Sequence, residues 1–244
     1  MKQIDLNCDV GEGVGNENEL LPLISSCSIA CGGHAGDVQT MEEVIGIAMR
    51  HKVKIGAHPS YPDRENFGRK SVKMSRNAFI ESIRAQLNSF CEILEKQKAS
   101  LNHIKPHGAL YNDLANDPVL SKVFLDAVSP FKSGVKLYVP FGSVIAEEAQ
   151  KQEWELVYEA FGDRNYNNDL SLVSRNEPNA LILDPEKVMG HILNIIDTGK
   201  VKTISGDIQP IRAETFCLHG DTPYVLQILM YLSRELPKRA VQVK

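Results

Sequence analysis

The sequence predicts an α/β protein of one domain over 1–244: a single closed (β/α) barrel of seven or eight strands. Three observations carry that expectation. Short β-type runs alternate with helix-type runs from one end to the other, the pattern of βαβ units around a parallel sheet. No Pro/Gly/Ser-rich linker or charge block divides the chain. Its 244 residues match the length that one such barrel needs, about 250. A doubly wound open sheet is the alternative that the same alternation allows.

The elements follow in order. The first strand is expected at 3–8, where Ile4, Leu6 and Cys8 alternate with Asp5 and Asn7. Strands at 28–31 and 53–57 flank a helix over 37–50, with Val38, Met41, Val44, Ile45, Ala48 and Met49 on one face and Asp37 as its N-cap. A helix over 75–98 repeats Phe79, Ile83, Leu87, Phe90 and Leu94 at steps of three or four. Strands at 103–106, 135–139 and 155–159 come next. The segment 160–182, with Gly162, Asn165, Asn167, Asn168 and Pro178, reads as a long loop over one barrel face. Asp184-Pro185-Glu186 is a helix start and opens a helix over 185–197. Strands at 201–205 and 215–218 follow, and Thr222-Pro223 opens a last helix over 223–236.

Composition narrows the function. Lys+Arg of 27 against Asp+Glu of 31 gives a net charge of −4, which leaves no electrostatic footprint for nucleic acid or an anionic membrane. The five cysteines are scattered and odd in number, with no C-x-x-C pair, so a reducing cytoplasmic setting is expected. The N-terminus has no apolar signal-peptide core, and the most apolar stretch, 224–232, is too short to span a bilayer.

The chemistry-bearing residues fall at strand ends. Asp9, His34, His58 and His107 follow or close the first four strands. Glu159, Asp163 and Arg164 follow the sixth, and His219 and Asp221 the last. In a parallel barrel these ends meet on one face, which carries the active site. Strand alternation puts Asp5, Asn7 and Asp9 on one side of the first strand, and His103, Lys105 and His107 on one side of the fourth. A barrel axis lined by Asn7, Asp9, His58, Lys105 and His107 is costly unless it binds something. Asp9, His34 and His58 have the donor chemistry for zinc, iron or another divalent ion, although no tight H-x-x-x-H spacing supports a metal. A histidine beside glycine at a strand end also serves as a satisfied turn residue, and Asp37 has its helix-cap explanation. Cys31 lies near His34, but a thiol nucleophile would need exposure. Asn16 breaks the dinucleotide fingerprint that Gly11, Gly13 and Gly15 suggest, Gly68-Arg69-Lys70-Ser71 is no P-loop, and no G-x-S-x-G elbow occurs.

These segments resemble the LamB/YcsF family, to which bacterial 5-oxoprolinase A subunits belong. The resemblance rests on DLNCDVGEG at 5–13, IACGGHAGD at 29–37, GAHPSYPD at 56–63, FGRK at 67–70, KPHGALYN at 105–112, EAFGDRNY at 159–166 and HGDTP at 219–223. Gly162 stands where the family often has alanine, and Asn168-Asp169-Leu170 where an Asp-Gly turn is usual.

The resemblance implies a seven-stranded barrel like that of polysaccharide deacetylases. It also implies ATP-dependent opening of 5-oxo-L-proline to L-glutamate, with ATP and Mg²⁺ and with two partner subunits, PxpB and PxpC. ATP coupling is physically reasonable, because a five-membered lactam re-closes readily when its amine and carboxylate are held together. ATP then binds either in an unfamiliar pocket of this chain or on a partner. With His34 in the same site, the expected roles are these: Asp9 or His58 as general base, Lys105 and Arg164 holding the substrate carboxylate or a phosphate, and His107 and His219 donating to the oxyanion. Asp221 would orient His219, and Glu159 would bind the ring nitrogen or product amine. The rival expectations are a metal-dependent deacetylase or amidohydrolase, and a non-catalytic scaffold subunit.

Overall fold

The computed structural model describes residues 1–244. In chain order its strands are β1 (Lys2–Val10), β2 (Ser26–Ala30), β3 (Lys54–His58), β4 (Leu101–Ile104), β5 (Lys136–Pro140), β6 (Leu156–Phe161), β7 (Lys200–Lys202), β8 (Ile208–Pro210), β9 (Thr215–His219) and β10 (Val241–Val243). Strands β1 to β6 pair in parallel in sequence order, and β9 pairs with both β6 and β1, which closes a seven-stranded barrel. The short β10 lies beside the start of β1, with Lys2 opposite Val241.

One expected strand falls outside this ring. The run at 201–205 is not a barrel strand: Lys200–Lys202 pairs antiparallel with Ile208–Pro210 in a separate hairpin. Only Val201 of β7 is buried, with exposed lysines on both sides, whereas a barrel strand is covered on both faces.

Helices α1 (Glu17–Leu20), α2 (Val38–Arg50), α3 (Arg76–Gln97), α4 (Gly108–Leu114), α5 (Pro118–Val128), α6 (Val144–Lys151), α7 (Pro185–Thr198) and α8 (Val225–Glu235) surround the barrel. Their starts have local causes. The Asp37 carboxylate accepts from the Thr40 backbone N–H at 2.8 Å, and Asp184 does the same for Lys187 at 3.0 Å with Pro185 at the first helical position. Thr222 does not cap α8, which begins later than expected; its hydroxyl donates to Asp163 instead, at 2.6 Å. Phe79, Ile83, Leu87, Phe90 and Leu94 of α3 are all buried, as their spacing requires. No helix is long and apolar enough to cross a membrane.

The barrel is inverted in character from the usual branched aliphatic filling. Leu6, Cys8, Ile29, Ile104, Leu137 and Leu218 join the apolar layer beneath the helices. The polar alternates fill the axis. Asp5 accepts from Ser26 at 2.6 Å and from Thr215 at 2.7 Å, and Asn7 donates to Thr215 at 2.8 Å and Glu159 at 2.9 Å. Above them the buried His103 ring stacks on Tyr138 at 3.8 Å and meets the Ser28 hydroxyl at 3.3 Å.

Gly56 on β3 makes room for that ring, since a Cβ there would lie 2.1 Å from His103 Nε2. Gly56→Ala is therefore expected to lower stability by about 3 kcal/mol, the upper part of the range for overpacked cores, and to lower Tm by several degrees. Thermal unfolding checks it; an unchanged midpoint would show that His103 is not confined by the strand.

Candidate active site

Every polar strand-end residue singled out in the sequence lies around the C-terminal mouth of the barrel, but not all with the expected partners. A cavity of about 510 Å³ opens there, with Asp9, Lys105 and Glu159 towards its floor and the 169–176 part of the long loop along its wall.

The floor is built around Lys105, 2 % exposed just past the end of β4. Its ammonium lies 2.9 Å from Asp9 Oδ1 and 2.9 Å from Glu159 Oε1, and also reaches Asn7 at 3.3 Å and Cys217 Sγ at 3.1 Å. Burial disfavours the charged form, yet Asp9, Cys217 and Glu159 outweigh it and hold the Lys105 pKa well above its ordinary value. Burial would likewise raise the Asp9 carboxyl, but His58 and Lys105 hold it well below the carboxylate range. Lys105 is thus saturated by groups of the chain itself and does not stand ready for a substrate carboxylate.

Beside this floor four side chains cluster: Glu12, His34, His58 and His107. His58 Nδ1 lies 2.7 Å from the Lys105 carbonyl oxygen and His107 Nε2 lies 2.9 Å from that of Phe67. A carbonyl only accepts, so both of those nitrogens carry hydrogen. The opposite nitrogens, His58 Nε2 and His107 Nδ1, then face each other at 3.0 Å. His107 therefore has no spare N–H for an oxyanion, contrary to its expected role. Glu12 Oε1 lies 3.3 Å from His107 Nδ1 and 2.9 Å from His34 Nε2. Burial, reinforced by Asp9, pushes the Glu12 carboxyl up to about 7, while burial and His58 push His34 down to about 2. Gly68 permits the packing: at φ +60°, a Cβ there would sit 2.9 Å from both His34 and His107.

Across the cavity stands an acid–imidazole pair that the sequence left unassigned. Asp163 lies 3.1 Å from His219 Nδ1 and also accepts from the His219 backbone N–H at 3.0 Å and the Thr222 hydroxyl. Burial opposes its ionisation, but His219 and Thr222 prevail and bring it down to about 2. The expectation that Asp221 orients His219 is corrected. Asp221 pairs with Arg69 and, at 3.3 Å, with Arg175, bridging two loops at the mouth. Arg164 is 5 % exposed and donates to the carbonyls of Val173 at 2.6 Å and Ala180 at 3.4 Å; it pairs with no carboxylate. Cys31 is buried and its thiol is pushed up by burial, so it is no nucleophile.

The comparisons with known proteins agree with this architecture. The model of the LamB/YcsF family matches residues 4–244. The chain belongs to the LamB/YcsF family. It is 39% identical over 243 residues to proteins named as the A subunit of 5-oxoprolinase in Haemophilus influenzae strains PittEE and PittGG, covering 100% of this chain and 99% of the PittEE protein. Among solved structures it is similar to a lactam utilization protein from Thermus thermophilus, with a TM-score of 0.92, 34% identity and coverage of 100% and 99% of the two chains. A family 4 carbohydrate esterase from Streptomyces lividans shares the barrel at a TM-score of 0.52 and 7% identity, covering 99% of this chain and 91% of its own. That likeness is one of fold alone.

Sequence reasoning missed two residues of this LamB/YcsF site. Glu12 was visible only as one letter of the 5–13 motif, and Asp163 only as one of three polar residues at or just past the end of β6. Their partners come from other strands, and spacing along one strand carries no trace of them.

Asp163 yields a prediction. Its pKa is depressed on folding, so its stabilisation is present above the unfolded value of about 3.9 and is lost as pH falls towards about 2. Asp163→Asn should cost about 2 kcal/mol at pH 7, and the gap from wild type should close as pH falls through that window. Urea unfolding of both proteins across pH measures it; a gap that stays constant would contradict the cause given.

Proposed function

We propose that this chain is the lactam-opening subunit of an ATP-dependent 5-oxoprolinase, hydrolysing the cyclic amide of 5-oxo-L-proline to L-glutamate. One observation carries the reading beyond the names of the relatives. His219, backed by Asp163, and the uncompensated Arg164 guanidinium line the same small cavity. A base beside a buried cation suits a small anionic substrate with a hydrolysable bond.

In this reading Arg164 holds the substrate carboxylate, a two-point contact that a guanidinium makes well. His219 lines the cavity, and its Nε2 has no partner within the chain. It takes a proton from the attacking water while Asp163 steadies the imidazolium. The water oxygen bonds to the lactam carbon, the ring C–N bond breaks, and the nitrogen takes up the proton. Glu159 and Asp9, fixed on Lys105, form the polar floor on which the ring nitrogen and product amine rest. ATP, with Mg²⁺ as its counter-ion, is the second substrate and drives the opening: its γ-phosphoryl passes to the lactam oxygen with release of ADP, the ring opening then leaves an acyl phosphate, and a second water splits this to glutamate and inorganic phosphate. PxpB and PxpC are the partner subunits. Arg69 and Arg175 at the mouth are both engaged by Asp221, and Lys105 by two carboxylates, which favours a nucleotide handled on a partner over one bound in the barrel.

His219→Asn should lower kcat for 5-oxoproline-dependent glutamate formation by about 10²–10⁴ with little change in KM, the usual loss for a general base. Arg164→Lys should mainly raise KM. The assay holds wild type or variant with ATP and both partner subunits. Near-normal turnover of His219→Asn would remove its role as base, and no glutamate from wild type would remove the lactam reading.

A further inference from the structure

The cluster of Glu12, His58 and His107 has a feature that the hydrolytic reading leaves unused. Two imidazoles, His58 at the end of β3 and His107 at the N-cap of α4, each give their hydrogen to a backbone carbonyl, His58 to that of Lys105 and His107 to that of Phe67. Their remaining nitrogens face each other at 3.0 Å, with the rings near-perpendicular at 85°. Two lone pairs so placed repel unless a cation stands between them or beside them. Glu12 closes the set at 3.3 Å from His107 Nδ1 and 4.0 Å from His58 Nε2. Neighbouring donors of a tetrahedral metal centre are separated by roughly 3.3 Å when metal–ligand bonds are about 2.0–2.1 Å long. The chain's one nearby ammonium, Lys105, is spent on Asp9 and Glu159.

We propose that Glu12, His58 and His107 bind one divalent transition-metal ion of the zinc type at the wall of the cavity, leaving coordination positions open to it. Four observations converge on this. Backbone carbonyls that fix the far nitrogen of each imidazole are the usual support of metal-bound histidine. Two imidazoles and one carboxylate favour zinc and its first-row neighbours over Mg²⁺ or Ca²⁺, which take oxygen ligands. All three donors line the cavity, whereas His34 does not. His34 instead stacks on His107 at 3.5 Å and reaches Glu12 at 2.9 Å, which makes it a positioning residue for both. This donor set differs from the Asp9, His34 and His58 group that the sequence suggested: Glu12 and His107 enter, and His34 moves behind them. An ion here would polarise an amide oxygen or a water in the cavity.

The test reads binding and needs neither lactam nor partner subunits, so its failure and that of the lactam reading are separable. The full chain is stripped with a chelator and titrated with Co²⁺, whose visible d–d absorption reports the ligand field, followed by displacement with Zn²⁺. About one equivalent should bind to wild type. Glu12→Gln and His107→Ala should each weaken Co²⁺ binding about 100-fold or more, and His34→Asn by about 10–100-fold, as for outer-shell partners. His219→Asn should leave the spectrum unchanged. Circular dichroism of each stripped variant checks folding, and His58→Ala replaces any variant that does not fold. No uptake by folded wild type would overturn the proposal and assign the space between the imidazoles to a shared proton. Uptake that survives both Glu12→Gln and His107→Ala would also overturn it, and uptake lost only in His219→Asn would move the ion to the Asp9, Cys217 and His219 group.

Discussion

The Lys105 ammonium, suspended in the barrel axis between Asp9 and Glu159, is the constraint on which the rest of this structure turns. A buried lysine is stable only when oppositely charged groups surround it, and these come from β1, across the ring, and from β6, two strands along. Asn7 and Cys217 complete its shell, so β4 is tied through one nitrogen to β1, β6 and β9. The tie has a second consequence. The Lys105 backbone carbonyl sets the tautomer of His58, so the residue that organises the floor also orients the cluster beside it.

A barrel with a polar axis needs its hydrogen bonds satisfied layer by layer, because a half-satisfied network in a low-dielectric interior is worse than an apolar one. Asp5 with Ser26 and Thr215 forms the lowest layer and His103 with Ser28 and Tyr138 the next. The Lys105 group closes the top. Each layer draws on several strands, so register errors are penalised throughout. The cost of this interior explains why the helix layer is so thoroughly apolar: Leu87, Phe90, Phe124, Ile192 and Ile228 are fully buried on the outer side of the sheet. The mouth can then carry imidazoles and carboxylates at close range, because the scaffold below it is rigid.

Much of this was legible along the chain. The period-2 alternation of Asp5, Asn7 and Asp9 against Ile4, Leu6 and Cys8 marks the inward face of β1, and the inward placement of Lys105 follows from the same rule. Helix α2 and its Asp37 cap, and α7 behind Asp184-Pro185, were readable because capping is local. The strand expected at 201–205 misled because an isolated apolar position between lysines satisfies a hairpin as well as a barrel strand. Asp221 misled because nearness in sequence to His219 stood in for nearness in space.

By itself the sequence determined the class of fold, the polar identity of the barrel axis and the face on which the chemistry gathers, since all three follow from residue type and periodicity within single elements. Tertiary structure alone decided the partnerships: Glu12 with His58 and His107, Asp163 with His219, Asp221 with Arg69 and Arg175. The reason is physical. Each of these pairs joins side chains from different strands or loops, and their angles and separations are set by barrel closure and backbone carbonyls rather than by any interval along the chain.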